Sequence, residues 1–399
     1  MEKLQQTIAA KSATKAIFLV CGIGISSWAP MVPYAKERLA LNDADLGLLL
    51  LLLGGGAIAM MPITGILSHK FGSRIVMLWS AIFIALILPL LLFITSTLWM
   101  GVVLFAFGAA IGTIDVAMNA HAVQVQNKYG KPIMSSFHGL FSVGGLLGSL
   151  GLGFLIKLGL DPFYAIISIS AVLLFISIWK YRDLFTLSME KEVMAEFAPK
   201  QAEGPAKKFS WLTGSLLFLG LMCFAVFLSE GSMLDWSAVF LRESRGVDPE
   251  LAGIGYAAFS IAMAVMRLVG DKIILKLDGR IVVIGGSVLA SAGLFIVVFS
   301  NWLPMLLFGF ILLGIGAANI VPIFFSEAGR LKNVPASVAI PVVSVMGYTG
   351  QLAGPALLGF IAYHYSLDVA MGFTASLLLL VGISYSVAMS IVPPFLKRS

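Results

Sequence analysis

The chain has 399 residues, of which 59% are hydrophobic and only 12% charged, and its formal net charge is +6. Soluble domains are about half apolar and about a quarter charged, so this balance excludes a soluble globular protein and describes one that crosses a membrane many times. In such a chain a basic excess belongs to loops on the cytoplasmic face rather than to a nucleic-acid surface.

Taken in order, the chain opens with Lys3, Lys11 and Lys15 and then an apolar run at about 14–34. The run is long and no small-residue cleavage site follows, so it reads as a retained first helix and not as a signal peptide. Further apolar runs fall at 46–68, 75–95, 98–124, 133–157 and 161–180. A polar stretch at 181–210 follows, and then runs at 211–237, 250–275, 281–300, 303–327, 336–363 and 368–393. Most are close to the roughly twenty residues that cross a bilayer. The reading is twelve spans: a six-helix bundle in 1–180, a linker in 181–210 and a second six-helix bundle in 211–399. The linker sequence MEKEVMAEFAPKQAEGPAKK is charged and carries Pro and Gly, so it holds a short surface helix at most. Cys21 and Cys223 lie inside apolar runs and read as buried small residues, not as a disulfide framework.

Orientation follows from the 26 Lys and Arg. With the N-terminus inside, five fall on outer loops (Lys36, Arg38, Lys157, Arg242 and Arg245), Arg267 lies within a span, and the other twenty fall on inner segments. That asymmetry places both termini in the cytoplasm.

In the fourth span, FGAAIGTIDVAMNAHAV (Phe107–Val123), Gly108, Gly112, Asp115 and Asn119 recur at helical spacing and share one face. Two small residues admit a neighbouring helix, and an acid and an amide sit beside them. An Asp at the centre of a membrane helix costs roughly 2.5–3.5 kcal/mol, so it is either used or neutralised by a packing partner.

The halves repeat. A shift of 206 residues lays Gly72–Met77 on Asp278–Val283, Gly47 on Gly253, Gly108 on Gly314, Gly144 on Gly350, Gly148 on Gly354 and Gly153 on Gly359. A shift of 208 brings Trp28 onto Trp236. Both halves begin on the same side, so the repeat is parallel, about an axis along the membrane normal.

This duplicated plan resembles the major facilitator superfamily over essentially the whole chain. The loop between the second and third spans of that family reads Gly-x-x-x-Asp-Arg/Lys-x-Gly-Arg-Arg/Lys. Here it stands as Gly65-Ile66-Leu67-Ser68-His69-Lys70-Phe71-Gly72-Ser73-Arg74. Gly65, Lys70, Gly72 and Arg74 match; His69 stands where the pattern has an acid, so an acidic relay at this gate is not implied. FHGLFSVGGLLG, LSEGSMLDW and the fourth-span run are similar to a poorly characterised bacterial inner-membrane branch, distantly similar to fucose permease and other proton-coupled sugar carriers. The resemblance implies an all-α fold of twelve transmembrane helices, a solute site near mid-membrane between the halves, and a cavity lined by the first, fourth, seventh and tenth spans.

On those spans the polar residues take provisional roles. Asp115 is the expected coupling carboxylate, able to carry a proton in the cavity and release it when water enters. Asn119 is placed to hydrogen-bond Asp115 or a solute, and His138 to relay a proton or to bond a backbone carbonyl. Glu230 and Asp235 lie in SEGSMLDW, where Gly231 is expected to loosen the helix. Glu230 reads as a cavity acid and Asp235 as an outer-gate or solvated one. Arg267 needs a partner, with Glu327 the first choice and Asp115 the second; an inner-gate pair and an anionic solute are the two readings. Asn319 and Gln351 offer uncharged hydrogen bonds to a solute or between helices. Trp28 and Trp236 either cap the cavity or belong to the interfacial aromatic belt. Gly350-x-x-x-Gly354-Pro355 resembles the glycine-proline motif of drug/proton antiporters, and close packing with a kink also accounts for it.

No Walker-type loop, no intramembrane Cys/His cluster and no ring of repeated charges occurs in the sequence. The expectation is therefore a monomeric secondary transporter without cofactor or metal and not an enzyme, taking a small-molecule solute and a proton, with sodium the other coupling ion. Efflux of amphiphilic compounds, a non-transporting sensor, and a hydrolase using Ser135 or Ser136 with His138 and Asp115 are the competing readings.

Overall fold

Within hydrocarbon no water satisfies a backbone amide, so a spanning segment must bond to itself, and helix is the form an apolar twenty-residue run takes. The computed structural model describes residues 2–41, 43–197, 213–248, 253–331 and 334–391, and no strand occurs among them. The helices are α1 (Glu2–Ser26), α2 (Val32–Arg38), α3 (Asp43–Phe71), α4 (Ser73–Phe93), α5 (Thr97–Tyr129), α6 (Met134–Lys157), α7 (Pro162–Tyr181), α8 (Leu187–Phe197), α9 (Gly214–Val239), α10 (Ile254–Leu277), α11 (Gly279–Phe299), α12 (Leu303–Ala317), α13 (Ile320–Ala328), α14 (Ala336–His364) and α15 (Leu367–Ile391).

Among the described residues, 11 helical segments are long and apolar enough to cross a membrane, with α12 and α13 forming one of them, Leu303–Ala328. The remaining expected span, at 250–275, is α10. The linker contributes α8, a helix of 11 residues with Glu190 and Val193 buried. The rest of the linker at 198–210 lies outside the described residues, as do Lys200, Lys207, Lys208, Lys332, Lys397 and Arg398.

The chain forms two compact units, residues 1–217 with 325–345, and residues 218–324 with 346–399. Inside the first, α3 packs along α5, α1 along α6, and α4 along α5 and α7. Inside the second, α10 packs along α12, and α11 along α12 and α15.

The repeat reaches down to single atoms. A Cβ on Gly108 would collide with the carbonyl oxygen of Leu53, and one on Gly314 with that of Phe259. Leu53 and Phe259 are themselves 206 residues apart. A Cβ on Gly144 or Gly148 would strike the Leu19 or Ile23 carbonyl of α1, and one on Gly350 or Gly354 the Phe224 or Leu228 carbonyl of α9. These glycines recur because two backbones touch there, which only a missing side chain allows. Gly153 and Gly359 do not share such a role: the space beside Gly153 is open, while Gly359 seats the Trp236 ring.

Arginines repeat as well. Arg38 donates to the carbonyls of Leu91 and Ile94 at the end of α4, at 2.8 and 2.9 Å. Arg245 donates to the carbonyls of Ser300, at 2.8 Å, and Val298 at the end of α11, and also pairs with Asp368. Each places a guanidinium on the last, unsatisfied carbonyls of a helix, where the helix dipole favours a cation.

One expectation is corrected here. Gly231 does not loosen its helix: α9 runs unbroken from Gly214 to Val239, and Gly231 instead lets α14 approach, since a Cβ there would meet the Gln351 backbone at 2.9 Å. The interruption falls in the tenth span, where α12 stops at Ala317 and α13 resumes at Ile320.

Candidate functional site

In the first unit α5 is buried along most of its length, from Phe107 to Gln126 among others. Gly108 and Gly112 receive α3, whose backbone at Leu53 and Ala57 fills the space a side chain would take. One turn on, Asp115 is 8% exposed and Asn119 fully buried. The Asn119 Nδ2 donates to the Asp115 backbone carbonyl at 2.9 Å and to the Asp115 carboxylate at 3.3 Å. The amide holds the carboxylate with one donor, and its own Oδ1 is buried with no hydrogen-bond partner among the described groups. The pair thus keeps unused acceptor capacity inside an apolar helix, which a proton or a hydroxyl would satisfy.

His138, near the start of α6, is 9% exposed and packs edge-on to Phe18 at 5.3 Å and at 5.8 Å from Phe325. Trp28 is buried at 5%, so it is enclosed by protein and does not stand in a lipid-facing belt.

In the second unit, Arg267 of α10 is paired with Glu230 of α9, Nη2 lying 3.3 Å from each carboxylate oxygen. Its Nε donates to the Ala318 carbonyl at 3.0 Å. The residue four positions on is Pro322, which has no N–H to give that carbonyl, so it is left open to the guanidinium. Asn319 is buried at 2%, with Nδ2 reaching the Met266 carbonyl at 3.5 Å and Oδ1 without a partner among the described groups. Trp236 donates from Nε1 to the Pro355 carbonyl at 3.0 Å. Asp235 and Gln351 are exposed. The sequence put Glu327 first and Asp115 second as partner of Arg267; the pair within this unit is with Glu230, which the sequence read as a cavity acid.

The 65–74 segment, expected as a loop, is helical except at Gly72: 65–71 end α3, and Ser73 and Arg74 begin α4. A Cβ on Gly65 would meet the Ser337 carbonyl at 2.6 Å, so the start of α14 rests on that glycine. His69 and Lys70 are exposed, with the Lys70 ammonium 5.1 Å from the Phe71 ring centre. Arg74 lies over the Tyr181 ring at 4.4 Å. Gly72 has φ 86°, a conformation that favours glycine. Glu327, on α13, is half-buried.

Two contributors escaped sequence reasoning. His121, two residues beyond Asn119, is fully buried and joins three segments: Nδ1 lies 3.1 Å from the Thr14 hydroxyl, and Nε2 accepts from the Phe185 N–H at 3.1 Å. Glu190 of α8 is 1% exposed and accepts from the Ser73 N–H at 3.0 and 3.2 Å. For His121 the signal was a lone imidazole in an apolar run; for Glu190 there was none, because the linker reads as solvated.

A multi-span helical protein built from two related halves, with buried acids held by amide and guanidinium groups inside the spans, has the build of a membrane carrier. The family model described as Major Facilitator Superfamily matches residues 16–326 and 211–398, and the chain belongs to that family. It is 43% identical over 383 residues to an uncharacterized MFS-type transporter of Yersinia pestis, covering 96% of this chain and 97% of the relative. Among solved structures it is similar to the proton:xylose symporter XylE, with TM-score 0.75 and 12% identity over 98% and 96% of the two chains. It is also similar to the E. coli fucose:proton symporter, with TM-score 0.69 and 14% identity over 96% and 99%. The chain is a multi-pass membrane transporter and not an enzyme.

Proposed function

We propose that the chain is a secondary active transporter that moves a small polar solute, a sugar or related metabolite, in symport with protons by alternating access. The observation that carries this reading is the buried Asp115 carboxylate, held by Asn119 and set in an apolar membrane helix. An ionisable group there marks an ion or substrate path by default. The fold likeness to two carriers whose names state proton-coupled sugar transport supports the same class.

In this reading Asp115 carries the coupling proton, with His138 and Glu230 as further proton-handling groups; sodium is the alternative coupling ion. Asn119, Glu230, Asn319, Gln351, Trp28 and Trp236 contact the solute. Gly65, His69, Lys70, Gly72 and Arg74, with Arg267, Glu327 and Asp235, belong to gates. Segments 1–180 and 211–399 act as the two functional bundles, joined by 181–210. The protein works as a monomer in a bacterial inner membrane, with both termini and the 65–74 segment on the cytoplasmic side, as the Lys and Arg distribution implies.

The test is uptake into proteoliposomes under an imposed pH gradient, with sugars screened first by thermal shift. Asp115→Asn should abolish gradient-driven accumulation while leaving exchange partly intact. Full accumulation by that variant would remove Asp115 from the mechanism. An efflux antiporter has weaker support, because Gly350 and Gly354 are accounted for by the α9 carbonyls that lie against them.

A further inference from the structure

The starts of α4 and α11 are equivalent under the 206-residue shift, with Gly72 matching Asp278. Both residues have positive φ, 86° and 68°, and ψ of 144° and 146°. Asp278 caps its own helix, its carboxylate accepting from the Arg280 N–H at 3.3 Å. Gly72 has no side chain to do so. The cap on α4 comes from Glu190, 117 residues away on α8, whose two oxygens accept from the Ser73 N–H. A side chain at position 72 would also crowd α8, since a Cβ there would lie 3.2 Å from the Leu187 Cβ. An anionic or hydrogen-bonding cap at a helix start satisfies donors the helix cannot. Here that cap sits on a separate helix.

We propose that the Glu190 carboxyl is a proton-binding site at this face of the first unit, serving α4 as a removable cap, and that loss of its proton to solvent loosens α8 from the 65–74 segment. The geometry around the acid supports a proton there. Glu190 lines a small cleft of about 20 Å³ with Ser68, His69, Ser73, Gln124 and Ser337. The Ser68 hydroxyl and the Gln124 Oε1 are buried with no hydrogen-bond partner among the described groups. A protonated carboxyl keeps one oxygen as acceptor for Ser73 and offers an O–H donor to such an acceptor; a carboxylate offers none. The titratable and charged groups facing it are His69 from α3 and Arg74 from α4. The other elements at the cleft present Val116, Ala120 and Gln124 from α5, Ser337 and Pro341 from α14, and Met194 from α8, none of which titrates.

Burial pushes the Glu190 carboxyl up from an ordinary 4.5 to about 7, against the opposing effects of the Ser73 hydrogen bonds and the Arg74 charge. A group that holds its proton more tightly when α8 is attached favours attachment at low pH. Attachment is at full strength below about pH 4.5 and falls away as pH rises through about 7. The site responds to the compartment bathing this face, independently of Asp115 and of the solute.

The experiment is hydrogen–deuterium exchange on the purified full-length protein at pH 6 and pH 8.5, corrected for chemical exchange, with α6 as the reference for an intact fold. Peptides covering the start of α4 and all of α8 should lose about tenfold in protection at the higher pH. Glu190→Gln keeps an acceptor for Ser73 but does not titrate, so its protection should be the same at both pH values. Glu190→Ala should be unprotected at both. Wild-type protection that is unchanged by pH, or a Glu190→Gln variant with the wild-type pH response, would overturn the proposal. If Glu190→Ala does not fold, the comparison of wild type with Glu190→Gln decides alone.

Discussion

Arg267 and Glu230 form a buried ion pair between α10 and α9, their side chains 8% and 16% exposed. Arg267 is fixed further by the Ala318 carbonyl at the break between α12 and α13. Taking either partner away strands a charge in an apolar setting, which costs about 3–5 kcal/mol, whereas removing both together can be close to neutral. Glu230→Leu or Arg267→Met alone should therefore lower the Tm in detergent sharply, and the double variant should recover much of the loss. Strictly additive losses would show that the two do not act as a pair.

The glycine contacts make a sharper forecast than glycine content does. Gly108→Ala and Gly314→Ala each push a methyl into a carbonyl oxygen of the facing helix, so each should cost about 1–3 kcal/mol through backbone displacement. Gly55→Ala and Gly285→Ala sit on the same kinds of helix with open space around them, and should be neutral or slightly stabilising. Tm values of the four variants, compared in one detergent, check this. Equal losses across all four would refute the role of backbone contact.

The part of this architecture written in local composition was legible in the sequence. Lipid forces each span to be apolar and about twenty residues long, so the runs announce themselves. Backbone contact forces glycine at recurring positions, so Gly108 with Gly314 and Gly144 with Gly350 carried the duplication. The Asn119 to Asp115 bond was legible because it lies within one helix, four residues apart. What depends on a distant element was not. In sequence Glu190 is one more linker charge; its role depends on Gly72, which has no side chain to cap α4. The pairing of Arg267 with Glu230 was not legible, because depth along the chain gives height in the membrane but not azimuth around the helix. Gly231 was read as a weak point because a lone glycine in a helix serves flexibility and close approach alike; the Gln351 backbone beside it decides for approach.

His121 supplies a test of how the linker is anchored. The Phe185 backbone N–H can only donate, so Nε2 accepts, Nδ1 carries the proton, and that proton goes to the Thr14 hydroxyl, which in turn donates to the Ala10 carbonyl at 2.7 Å. The neutral imidazole is thus held in one tautomer. His121→Phe leaves the Phe185 N–H and one side of Thr14 unsatisfied, at about 1–3 kcal/mol. The expected signature is local as well as global: a lower Tm and faster tryptic cleavage at Arg182. Thr14→Val should cost less, about 1 kcal/mol, and leave the cleavage rate nearer to wild type, because the Phe185 bond survives.

The two arginines that close α4 and α11 allow the repeat itself to be tested. Arg38 reaches the Leu91 and Ile94 carbonyls, and Arg245 reaches those of Ser300 and Val298, so each guanidinium bridges two acceptors through its planar fork. Lysine keeps the charge that the helix end favours but cannot hold that forked geometry. Arg38→Lys should therefore fall between wild type and Arg38→Ala, with the alanine variant losing about 1–2 kcal/mol. Arg245→Ala should lose more than Arg38→Ala, because Arg245 is only 6% exposed and its removal also frees Asp368. Thermal shifts of the paired variants read this directly, and an Arg38→Ala loss as large as that at Arg245 would mean the ion pair with Asp368 adds nothing to the staple.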